Sequence, residues 1–197
     1  MYRQAVISAE KHIAGRFSEV EELYDFVLSR KSAAGVVLAG MEKAIIPLRV
    51  THNDTKFNNL LFDAKTKKPV SVIDLDTVMK GSMLYDFGDA VRTGCNSADE
   101  DEPDLTKVKF LSDYYAAFEK AYLGVFGDDI TTEEKRLLGF SSMLMTYECG
   151  ARFLTDYLDG DVYFAVHKPK HNLLRAKTQF KLLKEMEKTF GAMTGYT

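Results

Sequence analysis

The chain has 197 residues, of which 46% are hydrophobic and 28% are charged, and its formal net charge is −3. Such a chain can bury a sizeable core, while its charge excludes a strongly basic nucleic-acid-binding surface and its two cysteines exclude a disulfide framework. No apolar run approaches the roughly 18 residues of a membrane-spanning helix. We therefore expect a cytoplasmic protein with no nucleic-acid or membrane partner.

The N-terminal part of the chain reads as helices followed by a short strand. Residues 1–16 have the spacing of an amphipathic helix. Ser18 and Glu21 form the Ser-x-x-Glu pattern of a capping box, which predicts a second helix after them. The apolar residues 36–38 fit no element clearly. Residues 47–52 read as a short strand that ends at a polar segment.

The centre of the chain is β-like, and the remainder is helical. Two β-like runs at residues 59–63 and 69–74, joined by turn-forming residues, predict a hairpin. Thr131 and Glu134 form a further capping box. Helices are predicted over residues 84–93, 105–125, about 131–158 and 172–190, with a solvated acidic loop at 97–104. The sequence thus predicts one α+β domain over residues 1–197, mostly helical, with a small central β-hairpin.

The residues with the clearest chemical pattern follow the short strand. Residues 51–59 read THNDTKFNN, and Asp74 closes an apolar run further along within the strand-and-loop segment 70–78. A phosphoryl-transfer catalyst needs one carboxylate to accept the proton of the attacking hydroxyl, and an amide oxygen and a second carboxylate to bind Mg²⁺. Asp54, Asn59 and Asp74 match these roles in type, order and spacing.

Four neighbouring residues are predicted to support this chemistry. Lys56 follows the predicted base closely enough to meet the transferred phosphate as a point charge, although a surface lysine explains it nearly as well. His52 is predicted to organise the loop, and Asp76 to help a second metal ion or to position its own loop. Asp86 is predicted to accept backbone N–H groups of the loop and hold it rigid.

These motifs resemble the aminoglycoside phosphotransferase and choline kinase superfamily, whose members are small-molecule kinases with a protein-kinase-like fold. Within it, the closest likeness is to bacterial N-acetylhexosamine 1-kinases, in residues 72–78, 86–94, 148–158 and 171–180. The resemblance covers residues from about 40 to 190. It implies the C-terminal lobe of that fold and phosphorylation of a sugar hydroxyl, the anomeric hydroxyl of N-acetylglucosamine or N-acetylgalactosamine, with ATP and Mg²⁺ as cofactors.

The resemblance also implies roles for individual residues. Asp54 would be the base, and Asn59 and Asp74 would bind Mg²⁺. Arg92 and Arg152 are predicted to bind the sugar, because a guanidinium donates several directed hydrogen bonds to hydroxyl and acetamide oxygens. A salt bridge to a nearby carboxylate explains each arginine equally well.

The chain departs from this family in the residues before the predicted catalytic loop, which comprises residues 51–59. Residues 1–51 contain no Gly-x-Gly-x-x-Gly and no strand-borne lysine for the nucleotide phosphates. The ATP-clasping N-terminal lobe is therefore predicted to be absent, and weak or no ATP turnover is expected from the isolated chain. Because the absent lobe would leave apolar surface uncovered, a homodimer or a separate N-lobe partner is expected.

Two alternatives remain open. Asp74 and Asp76 fit the Asp-x-Asp signature of haloacid-dehalogenase-like phosphatases, in which they would be nucleophile and general acid, with residues 127–129 as a later metal motif. That interpretation requires a parallel sheet and leaves residues 52–59 unexplained. The second alternative is a non-catalytic interaction lobe. The mucin-desulfating label that some relatives carry has no support, because neither cysteine begins a sulfatase signature.

Overall fold

The computed structural model describes residues 2–11 and 13–196. The chain divides into two compact units. The helical unit comprises Met1–Val36, Ser97–Phe110 and Thr146–Thr197, and the sheet unit comprises Val37–Asn96 and Leu111–Met145.

Helices dominate the described residues, as predicted. The eight α-helices there are α1 (Tyr2–Lys11), α2 (Glu21–Ser29), α3 (Val36–Glu42), α4 (Met83–Gly94), α5 (Ser112–Phe126), α6 (Thr132–Arg136), α7 (Leu138–Asp159) and α8 (His171–Phe190). None of the helices among the described residues is long and apolar enough to cross a membrane.

The strands form two separate antiparallel ribbons in the sheet unit. β1 (Arg49–Thr51) pairs with β4 (Met79–Gly81), and β2 (Leu60–Phe62) pairs with β3 (Pro69–Val72). The predicted hairpin is confirmed as β2–β3, whereas β4 was not predicted. Among the described residues no sheet has parallel strands, so the parallel sheet that the phosphatase alternative requires is not found there.

The core of the sheet unit fixes α4. Ser82 caps this helix, its hydroxyl accepting the N–H of Leu84. The Phe87 ring packs against an aromatic row on α5, with centroid separations of 5.9 Å to Tyr115, 5.2 Å to Phe118 and 5.0 Å to Tyr122. These contacts place the polar face of α4 beside the segment that follows β1.

In the helical unit the packing is close around α7 and α8. The Tyr147 side chain is fully buried, and its hydroxyl donates to the Val27 carbonyl at 3.0 Å. At Gly150 an added Cβ would lie 2.6 Å from the Phe180 ring, so only glycine permits this approach of the two helices.

Several predicted helix boundaries differ from the structure. The Ser18 capping box is wrong, because Phe17–Glu19 form a 3₁₀ turn and α2 begins after Val20 without a side-chain cap. The first helix ends at Lys11 and not near residue 16; residue 12 lies outside the described residues. The undecided residues 36–38 belong to α3.

Two later helices also differ from their predicted extents. α5 begins at Ser112 and not at residue 105, because the Asp104 carboxylate accepts the N–H and hydroxyl of Thr106 and so stabilises a turn. The capping box of Thr131 and Glu134 is confirmed, but the helix it opens is interrupted at Leu137, where α6 ends and α7 follows.

Candidate active site

The segment between β1 and β2 brings the predicted catalytic residues together. Asp54 Oδ2 lies 2.9 Å from Lys56 Nζ. Asn59 Nδ2 donates to the same carboxylate oxygen at 3.2 Å and to the Asp54 carbonyl at 2.8 Å. The 3₁₀ turn Phe57–Asn59 folds the segment back so that residues five apart in sequence meet. The result is a half-buried carboxylate beside one cation and one amide.

Asp86 anchors this loop to α4. Its two carboxylate oxygens accept the backbone N–H groups of His52 and Asn53, each at 2.7 Å, which are the hydrogen bonds expected of it from sequence. Its carbonyl accepts the Thr55 hydroxyl at 2.6 Å. Burial raises the pKa of Asp86, and the two N–H donors oppose that rise. Asp86 thus ties the residues on both sides of Asp54 to one helix.

A second anchor on α4 escaped the sequence analysis. The Thr93 hydroxyl accepts the backbone N–H of Phe57 at 3.0 Å. Thr93 lies seven residues, about two helical turns, after Asp86, so both side chains leave the same face of α4. That spacing was the available signal, but it points to a role only once Asp86 is known to face the loop.

The predicted metal ligand Asp74 lies directly after β3. Its backbone is left-handed, with φ 63° and ψ 57°, and the 3₁₀ turn Leu75–Thr77 follows it. The preceding residue is tied to the catalytic loop on both sides: the Ile73 N–H donates to the Asn59 carbonyl at 3.0 Å, and His52 Nε2 donates to the Ile73 carbonyl at 3.0 Å. Asp74 is therefore connected to Asn59 through a single intervening residue.

The oxygen atoms in this region suit Mg²⁺ bound jointly with a nucleotide. Within residues 2–11 and 13–196, no group of three or more His, Cys, Asp or Glu side chains is arranged to hold a metal ion. The side chain of Asn59 makes both of its hydrogen bonds through Nδ2, which leaves its amide oxygen for a metal. The Asp74 and Asp76 side chains are exposed. Few protein oxygens suffice where nucleotide phosphates complete the coordination.

The two predicted sugar-binding arginines lie in different units. Arg92, in the sheet unit, is 6% exposed, and its Nε donates to Asp89 Oδ1 at 2.8 Å, so it forms the salt bridge considered as the alternative. Arg152, in the helical unit, is exposed, and its guanidinium lies 5.7 Å and 5.3 Å from the ring centroids of Tyr163 and Phe164.

Arg152 lines a cavity of about 470 Å³ within the helical unit, together with Thr155, Asp159 and the connection between α7 and α8. Asp156 shapes its wall, because its carboxylate accepts the backbone N–H groups of Val162, Tyr163 and Phe164 at 2.8–2.9 Å. Sequence reasoning did not identify this cavity, since a carboxylate that folds a loop onto its own helix has no distinctive spacing.

Comparison with known proteins identifies the family of this chain. A model described as the phosphotransferase enzyme family matches residues 12–130, more than half of the chain. The chain belongs to the phosphotransferase enzyme family. The match contains Asp54, Asn59, Asp74 and Asp86, whereas Arg152 lies beyond it.

One similar protein is an uncharacterized kinase-like protein of Caenorhabditis elegans. It is 27% identical over 110 residues, which are 56% of this chain and 27% of that protein. The chain therefore spans about a quarter of the length of that relative.

Proposed function

We propose that the chain is the phosphotransferase lobe of a small-molecule kinase that transfers the γ-phosphoryl group of ATP to a hydroxyl. The arrangement at Asp54 carries the proposal. Its carboxylate lies beside Lys56 Nζ and the Asn59 amide, on a loop fixed by Asp86. Family membership supports the same class of reaction.

In this proposal Asp54 accepts the proton of the attacking hydroxyl. The hydroxyl oxygen forms its bond to the γ-phosphorus while the bond from that phosphorus to the β,γ-bridging oxygen breaks, which leaves ADP. Lys56 leaves its ion pair with Asp54 and binds the transferring phosphoryl group, whose negative charge it stabilises. Both residues act from positions that Asp86 holds.

Asn59 and Asp74 would hold Mg²⁺, and Asp76 is proposed to assist. When bound, Mg²⁺ neutralises charge on the nucleotide phosphates. Two observations support this assignment: the side-chain hydrogen bonds of Asn59 use Nδ2 and not its amide oxygen, and Asp74 is exposed.

For the acceptor we propose an N-acetylhexosamine phosphorylated at its anomeric hydroxyl. As a sugar-binding site we propose the cavity at Arg152, taken within the helical unit alone, since about 470 Å³ lies within the range of small-molecule sites, roughly 300–1,000 Å³. It combines guanidinium donors with aromatic side chains, on which the apolar face of a sugar can pack. Asp159, which also lines the cavity, adds a carboxylate to it.

Isothermal titration of N-acetylglucosamine and N-acetylgalactosamine into the chain, with and without Mg²⁺·ATP, tests the acceptor. We expect Arg152→Ala to weaken binding about tenfold or more, because it removes charged donors. Arg136→Ala, at an exposed arginine paired with Glu133, is the matched control and should bind like the wild type. The wild type binding neither sugar, or binding unchanged by Arg152→Ala, would contradict the sugar assignment.

A partner for the sheet unit belongs to the same proposal. Eleven large apolar side chains between residues 48 and 79 of this unit are exposed: Leu48, Val50, Phe57, Leu61, Phe62, Val70, Val72, Ile73, Leu75, Val78 and Met79. Exposed apolar side chains in this number favour an interaction surface. We propose that a second copy or a separate N-lobe polypeptide covers it.

A further inference from the structure

Two hydrogen bonds join the loop after β3 to the catalytic loop and have no part in the roles above. The Thr77 hydroxyl donates to the His52 carbonyl at 2.6 Å. Asn53 Nδ2 donates to the Thr77 carbonyl at 2.9 Å. Thr77 and the two residues that precede Asp54 thus bond reciprocally, through one side chain from each loop. We call these two bonds the Thr77–Asn53 clasp.

The clasp is closely packed from the side of the β1–β4 ribbon. The Thr51 hydroxyl lies 3.0 Å from Asn53 Oδ1 and 3.1 Å from the Met79 carbonyl. A Cβ at position 81 would lie 2.5 Å from Thr51 Oγ1 and 3.1 Å from Asn53 Oδ1. Because residue 81 is a glycine, the Thr51 and Asn53 side chains can occupy this space. The Asn53 amide therefore has a fixed orientation.

Both loops contain a backbone conformation that needs external support. Asn53 has φ 61° and Asp74 has φ 63°, in the left-handed region that L residues rarely adopt. Such residues persist where the surrounding structure over-determines them. The clasp bonds Asn53 directly and acts three residues beyond Asp74.

We propose that Thr77 and Asn53 are positioning residues that hold the loop of Asp74 against the loop of Asp54 and Asn59. Thr77 fixes the distal end of the 3₁₀ turn, while the bonds of Ile73 fix the residue before Asp74. The existence of the clasp follows from the geometry, whereas its effect on metal binding rests on the proposed function.

Hydrogen exchange of the full chain tests the clasp without requiring activity. Thr77→Val removes the hydroxyl donor at nearly constant shape, and Thr77→Ser restores it. We expect amides of residues 52–54 and 75–78 to exchange about fivefold to tenfold faster in Thr77→Val, the effect of one lost hydrogen bond, and at the wild-type rate in Thr77→Ser. Thr66→Val, at a hairpin-turn hydroxyl, is the matched control and should leave these amides unchanged.

Asn53→Gly is a second variant that removes the amide but keeps the left-handed backbone accessible. It should accelerate exchange in residues 75–78 as Thr77→Val does. Equal exchange in the wild type and both variants, or acceleration by Thr77→Ser to the level of Thr77→Val, would overturn the clasp.

Binding of Mn²⁺ with ATP, followed by electron paramagnetic resonance, gives the second readout. We expect Thr77→Val to weaken metal binding about tenfold, with recovery in Thr77→Ser. Unchanged Mn²⁺ affinity in Thr77→Val would overturn the positioning role. If the wild type itself binds no Mn²⁺·ATP, the metal role and the proposed function fail together, while the exchange rates decide the clasp separately.

Discussion

Glu134 shows how a single buried residue supports the strand that leads to the catalytic loop. Its side chain is fully buried, and Arg49 of β1 donates to its two carboxylate oxygens at 2.8 Å each. It also accepts the Thr131 N–H at 2.9 Å, as the second half of the capping box. Burial alone raises the pKa of Glu134, but the hydrogen bonds from Arg49 and Thr131 outweigh it and bring the pKa below 4.5.

This pKa predicts a specific dependence of stability on pH. Because the folded pKa lies below the unfolded one, the stabilisation by Glu134 is present above about pH 4.5 and is lost as the pH falls through the folded value. Glu134→Gln should cost about 1–3 kcal/mol at pH 7, since it leaves Arg49 without its charge partner. The two free energies of unfolding should converge in acid, which denaturant titrations between pH 3 and pH 7 would measure.

Glu133→Gln is the control for this prediction. Glu133 pairs with Arg136 at the surface, where such a pair contributes about 0–1 kcal/mol. An equal loss of stability in the two variants, or parallel pH curves for the wild type and Glu134→Gln, would contradict the account of Glu134.

For individual residues, the sequence was informative where a charged or amide side chain stands in a short, recognisable pattern. Asp54, Lys56 and Asn59 could be grouped because a short loop keeps them close whatever its exact course. Thr77 could not be identified, since its bond to the His52 carbonyl depends on the path of two loops. Arg92 could not be separated from Arg152, because only packing shows which guanidinium lies in a buried ion pair.

At the scale of elements, local patterns were informative where local forces decide the structure. The β2–β3 hairpin and the Thr131 cap each depend on neighbouring residues, and both were predicted. β4 was not predicted, because its three residues become a strand only by pairing with β1, which lies far earlier in the chain. The Ser18 pattern was also local, but it did not predict how α2 begins. A 3₁₀ turn, Phe17–Glu19, occupies the residues of the expected cap.

α4 is the element on which the site depends most. Its buried face carries Phe87, and its polar face carries Asp86 and Thr93, which bind the catalytic loop at two points. The amphipathic pattern predicted the helix. Which of its polar residues face the loop follows from the packing of Phe87 on α5, which the sequence alone does not specify.

At the scale of the whole molecule, the eleven exposed apolar residues between 48 and 79 predict self-association. Val50 is 80% exposed on β1 and is the most exposed of the group. Val50→Lys should shift the chain towards the monomer, because a charge would have to be desolvated at the interface. Size-exclusion chromatography with light scattering over a range of concentrations would measure the effect.

Val125→Lys provides the control, because Val125 is 86% exposed on α5, away from the eleven residues in sequence and element. It should associate like the wild type. A wild-type chain that is monomeric at every concentration would contradict the homodimer.

The central claim is that Asp54 is the base of a phosphoryl transfer. The most direct measurement is phosphorus NMR of ATP, Mg²⁺ and N-acetylhexosamine with the chain at high concentration, comparing the wild type with Asp54→Asn. Asp63→Asn, in the hairpin turn, is the control. We predict slow formation of sugar phosphate by the wild type and by the control, and none by Asp54→Asn, which keeps the shape but removes the proton acceptor. Equal rates of transfer by the wild type and by Asp54→Asn would contradict the account.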